Sequence, residues 1–159
     1  MEKIEKTIVL IKPDGLQRGL VGEITRRFEM KGLKLVGIKM MHLDDPLLIE
    51  HYAHVAEKPF FPRLKDFMKS SPVVAQCWEG FEAAGAVRTV AGVTNSRKAD
   101  GGTIRGDLAM GLTNNVIHCS DSSENAEIEV KRFFKDEELF EYHKSEWLHV
   151  YNLEELGEV

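Results

Sequence analysis

The chain has 159 residues, of which 43% are hydrophobic and 30% are charged, which is typical of a folded globular protein and excludes a disordered or fibrous one. This length favours one domain, which we expect to span residues 1–159. Lysine and arginine number 21 against 26 aspartate and glutamate residues, and the net charge of −5 argues against nucleic acid as the main partner.

The two cysteines, Cys77 and Cys119, are far apart and form no Cys-x-x-Cys motif, so we expect reduced thiols and no zinc site. The N-terminal residues 1–6 carry charges of both signs. The apolar run after them, residues 8–11, is too short for a signal peptide or a membrane span. These features predict a cytoplasmic protein without a membrane partner.

Hydrophobic periodicity, together with glycine and proline positions, predicts alternating strands and helices. We expect strands at residues 6–12, 33–43, 73–78 and 115–119. We expect helices at residues 20–32, 44–55, 62–69 and 82–90 and from residue 120, where Asp121 and Glu124 have the spacing of a capping box. Residues 92–106 form the longest irregular stretch. Loops of this length in compact domains are usually functional or disordered, and we interpret this one as functional because it ends in Thr103-Ile-Arg-Gly-Asp107.

The order β-α-β-α-α-β-α-β-α predicts an α+β fold. We expect a four-stranded antiparallel sheet with helices packed on one face, in the split βαβ arrangement of a ferredoxin-like αβ sandwich. A parallel, doubly wound sheet is the alternative.

The sequence contains no phosphate-binding loop, dinucleotide fingerprint or zinc-protease motif. It does place His118 at the end of a short apolar strand, directly before the N-terminus of a predicted helix. A neutral histidine can accept a phosphoryl group when one ring nitrogen is free and the other is held as N–H, and Glu129 is a candidate for holding it. The alternative is a core histidine that donates to a backbone carbonyl.

Other residues with suitable chemistry are the cations Lys12, Arg88 and Arg105 and the aromatic residues Tyr52 and Phe60. Guanidinium groups match phosphate oxygens, and aromatic rings stack on bases. Taken one at a time, each of these cations is more often simply an exposed charge, and each of these aromatic residues is more often part of the core. His51 and His54 have a helical spacing that would allow a shared metal, but no third ligand is evident.

Several strings occur in the order and spacing of nucleoside diphosphate kinases, from about Lys6 to Tyr151. They are Lys12-Pro-Asp-Gly15, Gln17-Arg-Gly-Leu-Val-Gly-Glu23, Lys58-Pro-Phe-Phe61, Pro72-Val-Val-Ala75, Trp78-Glu-Gly80, Gly102-Thr-Ile-Arg-Gly-Asp107 and Asn115-Val-Ile-His-Cys-Ser-Asp-Ser122. The last string resembles the active-site signature of that family. The resemblance implies a ferredoxin-like fold, a phosphohistidine intermediate and broad base specificity.

The resemblance also implies roles for individual residues. His118 would be the nucleophile, oriented by Glu129 and Ser120, with Lys12 and Tyr52 beside it. The residues that would bind the nucleotide are Lys12, Phe60, Leu64, Arg88, Thr94, Arg105, Leu112 and Asn115. Mg²⁺ would be carried by the nucleotide phosphates, with Asp121 reaching it through a water and no dedicated protein site. We expect Arg105 to contribute more to catalysis than to folding.

Three positions depart from the family pattern: Cys119 follows the nucleophile, and Ser96 and Gly101 lie in the long loop where prolines are common. A thiol beside His118 could make the site oxidisable, and the lost prolines would loosen the loop. We expect a homo-oligomer, a hexamer rather than a tetramer, and a C-terminal tail over residues 152–159. A phosphohistidine hydrolase and a nucleotide-binding module without turnover are the rival functions.

Overall fold

A computed structural model describes residues 3–157 and contains one sheet of four strands in the order β2-β3-β1-β4. The strands are β1 (Ile4–Ile11), β2 (Lys34–Met41), β3 (Val73–Phe81) and β4 (Ile117–Cys119). Every pair of neighbouring strands is antiparallel. The predicted antiparallel sheet is therefore confirmed, and the parallel alternative is excluded.

The helices connect the strands and extend the chain beyond the sheet. They are α1 (Pro13–Gln17), α2 (Val21–Lys31), α3 (Asp45–His51), α4 (Phe61–Lys69), α5 (Ala83–Ala91), α6 (Ile104–Leu108), α7 (Ser123–Phe133), α8 (Trp147–Val150) and α9 (Leu153–Leu156). Short 3₁₀ turns occupy Ala53–Val55, Ser96–Lys98 and Asp136–Glu138. Across residues 3–157, none of the helices is long and apolar enough to cross a bilayer.

Helices cover both faces of the sheet, so the expectation of helices on one face is wrong. Val9 and Ile11 of β1 belong to a core that includes residues of α2 and α5. Ile8 and Leu10 belong to a second core that includes residues of α3, α4 and α7. Residues 8–11 are fully buried, and a continuous apolar run of this kind is typical of a strand covered on both sides.

Two helix starts differ from the sequence prediction. Ser122, and not Asp121, is the N-cap of α7, and its hydroxyl accepts a hydrogen bond from the Asn125 backbone N–H at 3.1 Å. Asp121 instead accepts from the side-chain amide of Asn125. The long loop also ends earlier than predicted, because the Thr103 side chain caps α6 from within it. The first error arises because Asp121 and Ser122 are neighbouring residues that both favour the N-cap position.

The segment after α7 closes the open edge of the sheet at β2. The Phe140 N–H donates to the Val36 carbonyl at 2.8 Å, and the Tyr142 hydroxyl donates to the Leu35 carbonyl at 2.7 Å. This segment therefore satisfies backbone groups of an edge strand. The predicted tail at residues 152–159 begins with α9, and its last residues, 158 and 159, lie outside the described residues.

Candidate active site

Several of the predicted site residues lie close together at the end of the sheet where β1 leads into α1. Antiparallel pairing places His118 of β4 beside Leu10 of β1, two residues before Lys12. The helix α7 contributes Glu129, and the end of α3 contributes Tyr52. A strand ladder and two packed helices thus bring together residues that lie more than 100 positions apart in the chain.

Glu129 fixes the orientation of His118. Its Oε2 atom lies 3.0 Å from Nε2 of His118 and accepts a hydrogen bond from the Ser120 hydroxyl at 2.7 Å. Because a carboxylate only accepts, Nε2 carries the ring proton and Nδ1 is left with its lone pair. Burial by itself would raise the pKa of Glu129, but the hydrogen bonds from His118 and from the Ser120 hydroxyl lower it to about 2.

Sequence reasoning missed the placement of His51. Its ring lies edge-to-face with that of His118, with centroids 4.4 Å apart, and its side chain is 1% exposed. Burial, together with the proximity of His118, lowers the pKa of His51 to about 3, so this imidazole stays neutral. The sequence pattern of α3 indicates that one face of this helix is buried. It does not show which other helix packs against that face.

The suggested metal pair of His51 and His54 does not form. His54 is exposed, and among residues 3–157 the metal-type donor atoms near His51 belong to His118 and Glu129, all within 4.8 Å of one another. Two imidazoles and one carboxylate are not the oxygen-rich set that Mg²⁺ prefers. The cluster is therefore better explained by the hydrogen bond between His118 and Glu129.

Lys12 is buried and ordered by polar contacts. Its ammonium donates to Oδ1 of Asn115 at 2.9 Å and to the Thr113 carbonyl, while the Asn115 amide donates to the Thr94 carbonyl at 2.9 Å. Burial lowers the pKa of Lys12 to about 8, against the opposing charge of Asp14. Lys12, Asn115 and Thr94 therefore form one continuous network.

Arg105 is also buried, with 4% of its surface exposed. Its guanidinium donates to three backbone carbonyls, those of Ile117 at 2.7 Å, Gly92 at 2.9 Å and Asn115 at 3.4 Å. Burial lowers its pKa, and the charge of Arg88 on α5 acts in the same direction. Arg105 therefore links the long loop to β4 as well as supplying positive charge.

The aromatic candidates differ in exposure. Phe60 is 52% exposed and Leu112 is 57% exposed, whereas Leu64 is partly buried against the second core. Tyr52 lies 6.5 Å from His118 between ring centroids, and burial raises its pKa well above the usual range. An exposed Phe60 is free to stack on a flat ligand, which a core residue is not.

Cys119 is a buried neighbour of the site. Only 5% of its surface is exposed, and burial raises the pKa of its thiol despite the nearby Arg105 and Arg88. A protonated, buried thiol is a poor target for oxidants. The expectation of an oxidisable site is therefore not supported.

Comparisons with known proteins were consistent with this arrangement. The protein-family model described as nucleoside diphosphate kinase matches residues 5–139 of this chain. The nucleoside diphosphate kinase of Parabacteroides distasonis is 57% identical over 148 residues, which is 93% of this chain and 97% of that protein. The Saccharomyces cerevisiae enzyme of the same name is 48% identical over 147 residues, 91% of this chain and 96% of that protein.

Solved structures give the same result. A halophilic nucleoside diphosphate kinase from Halobacterium salinarum, in complex with CDP, superposes with a TM-score of 0.91 at 45% identity, covering 94% of this chain and 100% of that chain. A nucleoside diphosphate kinase family protein from Babesia bovis gives 0.89 at 41% identity, covering 92% and 99%. The chain belongs to the nucleoside diphosphate kinase family.

Proposed function

We propose that His118 carries the phosphoryl group in the nucleoside diphosphate kinase reaction of this chain. The observation that carries this proposal is the contact of Glu129 with Nε2, which leaves the Nδ1 lone pair of His118 available. In the first step Nδ1 attacks the γ-phosphorus, and the bond to the bridging oxygen breaks with its electrons leaving on the diphosphate. In the second step a terminal oxygen of an acceptor diphosphate attacks the same phosphorus, and the P–N bond breaks. One site thus serves donor and acceptor in turn, which is ping-pong kinetics.

The surrounding cations suit this reaction. Phosphoryl transfer depends on positioning and on positive charge around a loose transition state. Lys12, Arg88 and Arg105 supply that charge, with Thr94 at the edge of the same network. Lys12 and Asn115 would also bind the ribose hydroxyls, as their mutual hydrogen bond of 2.9 Å supports.

The base would be bound mainly by stacking on Phe60, with Leu64 and Leu112 beside it. Stacking does not distinguish hydrogen-bonding edges, so purine and pyrimidine nucleotides should both be accepted. Tyr52, which packs near His118, would restrict how the ring can move.

The reaction of this family uses a divalent cation, which we propose is Mg²⁺ carried by the nucleotide phosphates. Mg²⁺ prefers oxygen ligands and often uses substrate phosphates and waters rather than a protein cage. It would neutralise phosphate charge. Asp121 is exposed near the start of α7, where its carboxylate could contact a water of that ion.

We propose further that the protein is a homo-oligomer, a hexamer rather than a tetramer, and that it is cytoplasmic. Exposed apolar side chains on the edge strand, Ile38 at 52% and Met40 at 61%, support association. Light scattering after size-exclusion chromatography would give the mass directly, with six, four or two chains as the outcomes.

The first experiment is intact mass spectrometry after brief exposure to Mg·ATP, followed by a chase with excess CDP. We expect the gain of one acid-labile phosphoryl group, which disappears as CTP forms. His118→Ala should gain none and should not exchange. Decay of the phosphoryl group in water without CDP would instead indicate a hydrolase, and no gain at all would indicate a binding module.

A further inference from the structure

Asp14 lies beside the site, and neither the motifs nor the proposed roles above give it a function. It is the second residue of α1, directly after Pro13 and two residues after Lys12. Its Oδ2 atom accepts a hydrogen bond from the Val116 backbone N–H at 3.0 Å, across a separation of 102 residues. The other oxygen, Oδ1, is buried and has no hydrogen-bond partner within residues 3–157.

Val116 has an unusual backbone conformation. Its φ is +63°, in the left-handed region, where β-branched residues are rarely found because of steric strain. Both backbone polar groups of Val116 are held, since its N–H donates to Asp14 and its carbonyl accepts from the Lys12 N–H at 2.9 Å. A strained conformation of this kind persists only when surrounding contacts enforce it.

The strained residue joins two parts of the proposed site. Asn115, on one side of it, contacts the Lys12 ammonium, and Ile117, on the other side, accepts from Arg105 and precedes His118. Release of the Val116 peptide would therefore change the relative placement of Lys12, Asn115 and His118.

Asp14 also acts on Lys12 by charge. The charged groups that act on the Lys12 ammonium are Asp14, on α1, which favours its protonated form, and Arg105, on α6, which disfavours it. The remaining contacts are neutral: Asn115, the Thr113 carbonyl and the face of the Phe67 ring, 5.3 Å from the ammonium nitrogen. Among residues 3–157, the charge of Asp14 thus opposes the lowering of the Lys12 pKa by burial and by Arg105.

We propose that Asp14 is a positioning residue for phosphoryl transfer, which keeps Lys12 charged and holds the Val116 peptide in its strained conformation. The proposal rests on the phosphate-binding role proposed for Lys12. Asp14 itself touches neither substrate nor the reacting atoms.

The test compares Asp14→Asn with Asp14→Ala in the full chain. Asparagine keeps an oxygen that can accept from Val116 but removes the charge, whereas alanine removes both. Asp136→Asn, at an exposed position, is the control for the change in net charge. The readouts are kcat/KM for phosphoryl exchange as a function of pH, and the titration of the Lys12 ¹³Cε resonance in lysine-labelled protein, assigned from its loss in Lys12→Arg.

We expect Asp14→Asn to move both the alkaline limb of kcat/KM and the Lys12 resonance titration to lower pH by about one unit. That shift predicts a fall in kcat/KM of about fivefold near pH 8 and a negligible change near pH 6. Asp14→Ala should show the same shift and, in addition, a loss of about tenfold at every pH, which asparagine rescues. Asp136→Asn should match the wild type in both readouts.

The two readouts separate the two proposals. If the Lys12 titration in Asp14→Asn matches the wild type, or if asparagine and alanine lower kcat/KM equally at every pH, the role of Asp14 is refuted. If the Lys12 titration moves and the alkaline limb of kcat/KM does not, Lys12 does not have its proposed role, and the proposal for Asp14 fails with it.

Discussion

The buried neutral histidine beside His118, His51, should make the stability of this fold sensitive to mild acid. His51 titrates near 6.5 when it is unfolded, but burial, reinforced by nearby charges, lowers its pKa to about 3 in the folded protein. Between these values the unfolded state binds a proton that the folded state does not. The contribution of neutral His51 to the free energy of unfolding is therefore fully present above about pH 6.5, and it is lost as the pH falls toward 3.

The size of this effect follows from the two pKa values. With 6.5 for the unfolded state and about 3 for the folded state, the free energy of unfolding should fall by about 2 kcal/mol between about pH 7 and pH 5. Glu129 contributes little in this window, because its pKa, lowered to about 2 from 4.5, affects stability only at more acidic pH.

The assay is urea unfolding at a fixed protein concentration, since the free energy of an oligomer depends on concentration. His51→Phe keeps an aromatic ring beside Phe133 and His118 and removes the titration. We expect the free energy of unfolding of this variant to fall between pH 7 and pH 5 by less than about half of the wild-type decrease. His54→Asn, at an exposed position near the end of the same helix, should keep the wild-type decrease. An undiminished decrease in His51→Phe would refute the assignment to His51.

Three further predictions concern other residues of the site. Arg105→Ala should lower the free energy of unfolding by about 2–4 kcal/mol as well as lowering kcat/KM, because it removes the guanidinium hydrogen bonds to the Gly92, Asn115 and Ile117 carbonyls; urea unfolding with unchanged stability would contradict this. Phe60→Ala should raise KM for ADP, GDP and CDP by similar factors at unchanged stability, and steady-state kinetics showing a base-selective loss would mean that another group reads the base edge. Neither Cys77 nor Cys119 should react with a thiol reagent until urea unfolds the protein, because both are buried and burial raises both pKa values; rapid labelling of the native protein would show that the site opens.

Local signals in the sequence predicted the elements well. The apolar run before Lys12 gave a central strand, and Gly32 ended α2 in the left-handed conformation, with a φ of 100°. These features depend on neighbouring residues alone, through side-chain periodicity and the conformational freedom of glycine. The motif that surrounds His118 singled out this residue, and the structure brings Glu129 within 3.0 Å of its ring.

Features that depend on packing between distant segments could not be predicted in this way. His51 reaches His118 because α3 packs near α7, and neither helix carries a sequence mark of that contact. The positive φ of Val116 is likewise set from outside, by Asp14 and Lys12. A valine in a strand-like run gives the opposite expectation, because β-branched residues favour extended backbone.

The hydrogen-bond acceptors of the two buried cations, Lys12 and Arg105, explain how the proposed site can remain positively charged. Lys12 and Arg105 donate to backbone carbonyls and to the Asn115 amide, and within residues 3–157 neither forms a direct ion pair with a carboxylate. A carboxylate partner would stabilise each cation more strongly, but it would also cancel the charge that a phosphate must meet. Neutral acceptors meet the hydrogen-bonding needs of the donors and leave that charge in place. Glu129, in contrast, makes its hydrogen bonds with the His118 imidazole and the Ser120 hydroxyl, and not with either of these cations.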